Sequence, residues 1–423
     1  MISFDDALGI VLGSAPRPRA ETVPLASAPG RILARAVRAD RDLPPFDRAA
    51  LDGYAFRLAD GEREFGEERQ LPVAGEVAAG QRYRRALRPG SCVRIWTGAA
   101  TPAGAQGIVP VERSTETDGI VRLSGPVEIG GPSRAGICDR GEDARRGAVL
   151  LEKGRRIGPG EAAILAATGH AQVAVHARPR ISLLLTGAEV VPPGARPSAE
   201  QIRSTHGAVL GSLLRASGLG EARELGIVGD SEVALRRRIA RGLEESDLLL
   251  ITGGVSAGRL DLVPGVLRAL GVRILFHKVA IRPGKPVLFG TGRMASGGTV
   301  RVFGLPGNPV SVLATAVLFV LPFLRAWEGD TPAAPLTVRL DEPIRRGGGL
   351  LHFVPSALSA APDATLRCRP LPSHGSGDFV SASGVRALLR VPGDSETRPE
   401  GSILTAVPVP VPGPLSISVP ISS

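Results

Sequence analysis

A chain of 423 residues is longer than one hydrophobic core usually serves, and its 43% hydrophobic and 22% charged residues describe a multidomain globular protein rather than a globally disordered one. The formal charge of +10 comes from arginines scattered along a chain with only 4% aromatic residues, so no basic stripe with stacking platforms for nucleic acid is present. Three widely spaced cysteines, Cys92, Cys138 and Cys368, match neither a disulfide framework nor a zinc motif, and Asp5 and Asp6 near the start do not fit a signal peptide; a cytoplasmic, reducing location is expected.

In chain order, Phe4 to Leu12 has the spacing of a short amphipathic helix, and from Val23 onward Pro, Gly and β-branched residues alternate with turns. Between Leu71 and Val175, short apolar runs (Cys92 to Trp96, Ile108 to Val111, Val149 to Leu151) predict a β-rich module. After Pro179 the pattern changes. Strands at Ile181 to Leu185, Leu225 to Val228 and Leu248 to Thr252 alternate with helices at Ala208 to Ala216, Glu232 to Glu244 and Leu262 to Leu270, which predicts a parallel sheet covered by helices. Further strands follow at Arg273 to Phe276, Val287 to Phe289 and Val300 to Gly304.

The apolar run Val310 to Leu324 is shorter than a membrane span and is interrupted by Ser311, Thr315 and Pro322, so a buried helix is expected and no membrane association. Gly329 to Pro335 resembles a linker, and Leu336 to Val409 returns to short strands. The end of the chain alternates Pro with small residues and is expected to be a flexible tail. The fold class is therefore α/β plus β-rich domains. The expected division is an N-terminal linker and dimerisation domain (1–43 with 146–178), a β-rich domain (44–145), an α/β domain (179–328), a C-terminal β domain (329–410) and a tail (411–423).

Asn308 is the only asparagine in the chain, within Phe303-Gly-Leu-Pro-Gly-Asn-Pro-Val-Ser311. Here a strand ends, Gly307 permits a turn, Asn308 can cap a helix and Pro309 suits its first position. The result is a helix N-terminus at the carboxyl edge of a sheet, where open α/β sheets bind anionic ligands; capping alone would also explain it.

Of three lysines, Lys278 and Lys285 share His277-Lys-Val-Ala-Ile-Arg-Pro-Gly-Lys-Pro286 with Arg282, a grouping suited to phosphate or another oxyanion. In Leu249-Leu-Ile-Thr-Gly-Gly-Val-Ser-Ala-Gly258 a buried strand runs into a glycine turn, where Gly253 and Gly254 let backbone approach a ligand; Asp261 beyond it is a ligand candidate or simply a helix cap. Leu184-Leu-Thr-Gly-Ala-Glu-Val190 places Glu189 at the same edge, and a carboxylate among cations suggests Mg²⁺. In the N-terminal half, Pro44-Pro-Phe-Asp-Arg-Ala-Ala-Leu-Asp-Gly-Tyr-Ala55 holds Asp52, Arg94-Ile-Trp-Thr-Gly-Ala99 holds Thr97, and Gly141-Glu-Asp143 is an acidic turn.

Together, in this order, these segments resemble the molybdopterin molybdenumtransferase family, the bacterial relatives of the C-terminal part of gephyrin. The resemblance runs from about Phe4 to Val407, and its most specific pieces are Gly304-Leu-Pro-Gly-Asn-Pro-Val-Ser311, Phe276 to Pro286 and Gly253-Gly-Val-Ser256. It implies an elongated, multidomain subunit with a three-layer α/β/α molybdopterin-binding domain, a β-rich second domain and a C-terminal β domain, assembled as a homodimer. It implies insertion of molybdate into adenylylated molybdopterin, with Mg²⁺ and release of AMP.

Carried onto this chain, the resemblance gives Asp52, Thr97, Glu189, Asp230 and Asp261 catalytic roles, with Glu189, Asp230 and Asp261 as metal ligands. Thr186, Gly187, Gly253, Gly254, Ser256, Lys278, Arg282, Lys285, Pro306, Gly307, Asn308 and Pro309 would bind the substrate. Asp52 and Thr97 of one subunit would meet Glu189, Asp230, Asp261, Lys278, Arg282, Lys285, Pro306 and Pro309 of the other. A molybdopterin adenylyltransferase or an apo-molybdoenzyme is the further partner implied.

The chain departs from the family's usual pattern at Arg48, Ala49 and Leu51, at Ala188 where a carboxylate is usual, at Ser204-Thr-His206 where Asp-Ser-Asn is usual, and at Arg259. These departures motivate a second reading, a paralogue that binds or delivers molybdopterin without turnover. A molybdopterin adenylyltransferase fits poorly because of the β-rich regions on both sides.

Overall fold

The computed structural model describes residues 1–59, 61–62, 64–125, 127–128, 134–256, 261–294 and 297–411; the departure at Arg259 and the tail from 412 lie outside them. The chain divides into two units, residues 22–175 and residues 1–21 with 176–423.

Helix α1 (Phe4–Gly13) begins where Ser3 accepts a hydrogen bond from the Asp6 backbone N–H, and Asp5 and Asp6 complement the positive end of its dipole. It buries Phe4, Ala7 and Val11. The sequence groups residues 1–43 with 146–178, but α1 packs instead in the unit that holds the α/β sheet. The reason is aromatic. The Phe4 ring lies 5.5 Å from Phe319 and 4.9 Å from Phe353, centroid to centroid, in tilted contacts.

In the unit of residues 22–175, β1 (Gly53–Arg57), β2 (Glu68–Val77), β3 (Ser91–Ile95), β4 (Gly107–Pro110), β5 (Ser114–Thr117) and β6 (Ile120–Ser124) form one six-stranded sheet in the order β4-β1-β3-β2-β6-β5. Helix α2 (Pro159–Ala167) packs separately, with Leu165 among Ala28, Leu33, Val173 and Val175.

In the other unit, β7 (Ile181–Thr186), α3 (His206–Ala216), β8 (Ala222–Val228), α4 (Glu232–Glu245), β9 (Leu248–Thr252), α5 (Val263–Ala269), β10 (Arg273–His277), β11 (Ile281–Arg282), β12 (Leu288–Arg293) and β13 (Thr299–Leu305) lead into α6 (Pro309–Thr315), a π turn and α7 (Leu321–Trp327). The sheet order is β8-β7-β9-β13-β12-β10. Strands β8, β7, β9 and β13 are parallel, and β12 runs against β13 and β10.

All residues of β7 and β9 are buried, as a parallel strand covered on both faces requires. The period of two sorts them. Ile181, Leu183 and Leu185 join Leu210, Leu213, Phe303, Phe319 and Phe323 on one face, while Leu184, Leu249 and Ile251 join Leu235, Ile239, Val263 and Leu267 on the other. This is the three-layer α/β/α arrangement.

Pro309–Trp327 is long and apolar enough to cross a membrane, but it is the core helix of this domain, with Phe319 and Phe323 fully buried. The C-terminal strands β14 (Leu336–Leu340), β15 (Leu351–Ala360), β16 (Leu366–Pro370), β17 (Ala387–Val391) and β18 (Ile403–Pro408) close on themselves through the pairs β15–β16, β16–β14, β14–β18, β18–β17 and β17–β15. Closure removes every free edge among these five. Strand β11 adds to β15, tying the Lys278–Lys285 segment to this small barrel.

Candidate functional site

Register brings the sequence motifs to one edge. Thr186 pairs with Val228, Leu185 with Thr252, and Thr252 with Leu305, so the segments after β7, β8, β9 and β13 all leave the carboxyl edge of the sheet at one level. Strand β10 runs in the same direction and delivers His277 and Lys278 there; the His277 ring bonds the Val255 carbonyl at 2.7 Å.

The glycines after β9 are demanded by packing as well as by conformation. Gly253 has φ +84°, and a Cβ there would lie 2.8 Å from the Thr186 carbonyl oxygen. Gly254, at φ +63°, would meet Val263 at 3.0 Å. Thr186 donates to the Thr252 carbonyl at 3.0 Å, and the Gly253 N–H donates to the Leu305 carbonyl at 3.0 Å. The β7, β9 and β13 loops are thereby fastened side by side; Ser256 stands exposed beyond them.

Lys278 is held in the left-handed region at φ +73°, a conformation costing a non-glycine residue about 1–2 kcal/mol. It is fixed by backbone bonds, its N–H donating to Val287 and its carbonyl accepting from Ile2. The Val279 N–H donates to the Lys285 carbonyl at 2.9 Å, closing the segment so that Arg282 and Lys285 stand exposed. Gly284 allows this loop to press on α6: a Cβ would meet Thr315 at 2.5 Å.

Asn308 occupies the position before α6, with Pro309 first in the helix, yet its side chain makes no capping bond. It donates instead to the Ser376 hydroxyl at 2.7 Å, and the Val310 N–H donates to the Ser376 carbonyl at 3.2 Å. The capping role expected from sequence is thus replaced by a tie to a loop of the C-terminal barrel. Gly307 sits against Gly253, with Pro306 buried beside it.

Glu189 is exposed and folds back so that its carboxylate oxygens approach Gly187, which takes φ +136°. Asp230 is exposed two residues beyond β8, and Asp261 is partly buried before α5. Among the described residues no group of three His, Cys, Asp or Glu side chains converges to hold a metal, so Glu189, Asp230 and Asp261 are not brought together as one ligand set. The donors fit a cation that arrives with substrate oxygens rather than one held in a protein cage.

His206, in the sequence only a departure from the family pattern, belongs to this edge. Its Nδ1 lies 3.0 Å from the Thr252 hydroxyl. Burial holds this imidazole below its ordinary value, against the nearby Gly307 backbone and the Glu189 charge, which act the other way.

In the other unit, Asp52 Oδ1 accepts from both the N–H and the hydroxyl of Thr97, each at 2.7 Å, and these two bonds hold its carboxyl below the ordinary carboxylate range. Gly53 is obligatory, since a Cβ would sit 2.0 Å from the Val109 carbonyl oxygen. Tyr54 is structural: its hydroxyl donates to Glu116 at 2.7 Å and Arg94 stacks 5.7 Å from its ring. The Gly141 to Asp143 turn is spent on backbone bonds to Leu43 and Pro44. The three cysteines are free thiols, with burial pushing Cys92 up to about 12 and Cys368 up to about 11, which leaves those two inert.

Three family descriptions match successive stretches: the MoeA N-terminal region (domain I and II) over residues 2–169, the probable molybdopterin binding domain over 182–326, and the MoeA C-terminal region (domain IV) over 337–409. A molybdopterin molybdenumtransferase of Synechococcus elongatus is 36% identical over 85% of this chain and 88% of its own length. The chain belongs to the MoeA family of molybdopterin molybdenumtransferases. A second relative with that name, from Synechocystis, is 31% identical over 93% of this chain and 96% of its own.

The crystal structure of a MoeA protein from Pyrococcus horikoshii OT3 superposes with a TM-score of 0.78, at 29% identity, covering 96% of this chain and 99% of that one. Against the MoeA pattern, the departures at Ala188 and His206 fall on the carboxyl edge just described, whereas Ala49 is buried and paired with Ile137 in the other unit, with Arg48 beside it.

Proposed function

We propose that this chain inserts molybdate into adenylylated molybdopterin, releasing AMP. The observation that carries the reading is the convergence at one sheet edge of two conformationally obligatory glycines, the Pro306–Pro309 turn and Lys278 held at positive φ. Free amides and fixed cations at the end of parallel strands are what a diphosphate and an oxyanion require. Lys278 and Lys285 would act as point charges and Arg282 as a planar fork, while the Gly253-Gly254 backbone approaches the phosphates.

Glu189, Asp230 and Asp261 would hold a divalent cation through water and substrate oxygens; bound there, Mg²⁺ would offset phosphate charge and favour P–O cleavage. Asp52, kept ionised by Thr97, would orient a water or a molybdate hydroxyl. The family arrangement supports a homodimer in which Asp52 and Thr97 of one chain serve the sheet edge of the other, with four domains per subunit.

The alternative, a carrier that binds molybdopterin without turnover, is favoured by Ala188, which removes a carboxylate from this edge. One assay separates the two: AMP release from adenylylated molybdopterin, with molybdate and Mg²⁺ each present or omitted. Release that needs both is expected; tight binding without release in any condition would replace the transferase reading with the carrier.

A further inference from the structure

We infer that His206 is a positioning residue that locks two ligand-facing loops, the Gly253-Gly254 turn and the Pro306–Pro309 turn, into one preformed surface. This rests on the proposed function for the identity of the ligand but on geometry for the coupling. His206 is the first residue of α3, so its backbone is anchored by an eleven-residue helix whose Leu210, Leu213 and Leu214 are buried. From that fixed base its ring bonds the Thr252 hydroxyl at 3.0 Å, directly before Gly253.

The rest of the network runs through the same residues. Thr252 also accepts, through its carbonyl, the Thr186 hydroxyl; Gly253 donates to Leu305, one residue before Pro306. The ring therefore fixes the residue next to Gly253, whose bond to Leu305 couples the two turns. Burial supports the role by keeping the ring largely out of water, where its hydrogen bonds are not exchanged for solvent.

Preorganisation of this kind lowers the ordering cost of binding and is felt equally by substrate and transition state. His206→Ala is therefore expected to raise KM for adenylylated molybdopterin about tenfold or more while kcat stays within about threefold. His206→Gln, which keeps one donor and one acceptor on a side chain of similar reach, is expected to restore most of the loss. Amide hydrogen exchange on the ligand-free protein supplies a readout independent of turnover. In His206→Ala, the hydrogen-bonded amides of Gly253 and Val310 should exchange faster than in the parent chain.

Faster exchange confined to α3, with those two amides unchanged, overturns the coupling. A fall in kcat at constant KM, or no rescue by His206→Gln, overturns the positioning role. If the parent chain releases no AMP, the proposed function fails, and the exchange experiment still decides the coupling.

Discussion

Gly253 shows how one residue can be fixed by two independent constraints. Its φ of +84° excludes most side chains, and the Thr186 carbonyl occupies the space a Cβ would need. Gly253→Ala is expected to lower stability by at least about 2 kcal/mol, the left-handed penalty plus displacement of β7, and to weaken ligand binding at the same time. Thermal unfolding checks the first effect and the AMP-release KM the second; an alanine variant with an unchanged melting temperature would mean the turn relaxes freely. Sequence alone exposed this glycine as a turn residue but not why no other residue fits, because the obstructing Thr186 lies 67 positions earlier. Asn308 teaches the converse. Its rarity marked it out, and helix-start chemistry suggested a cap, yet its amide serves Ser376, a partner that local pattern cannot reveal. Likewise the three carboxylates read as one metal set form no converged cluster among the described residues, since sequence proximity to a sheet edge says nothing about distance along it.

At the scale of elements, periodicity was legible wherever burial was two-sided or strongly one-sided: β7, β9 and the α6–α7 helix fall on the expected stretches because a covered parallel strand and a core helix leave long apolar runs. The destination of α1 was not legible, because an amphipathic decapeptide specifies a face but not the surface that receives it. Here that surface combines Phe319 from the π turn and Phe353 from β15, so α1 bridges the α/β layer and the C-terminal barrel within one unit. Arg390 of β17 adds an ion pair to Asp5 at 3.2 Å and lies 5.7 Å from the Phe4 ring, contacts that are exposed and worth little beside the aromatic burial. Truncating the aromatic anchor should therefore dominate. Phe4→Ala is expected to cost about 3–5 kcal/mol in urea unfolding, against less than about 1 kcal/mol for Arg390→Ala. Equal effects would mean that the helix is held by charge instead.

At the scale of the whole molecule, the proposed homodimer raises the question of which chain would supply Asp52 to which sheet edge. The family resemblance supports a two-chain site, and symmetry turns that into a count. Consider Asp52→Ala and Lys278→Ala chains, each inactive as a homodimer, dissociated, mixed in equal amounts and reassembled. If each site takes Asp52 from one chain and Lys278 from the other, half of the dimers are mixed and each mixed dimer carries one intact site, so about a quarter of the parent activity should return. If both residues of a site come from the same chain, every site in the mixture lacks one of them and no activity returns. AMP release by the mixture, compared with each variant alone and with sedimentation confirming dimers throughout, distinguishes the two arrangements. Recovery to about a quarter would also require both side chains to act in catalysis rather than in folding, because a variant that merely misfolds cannot donate its intact half to a partner.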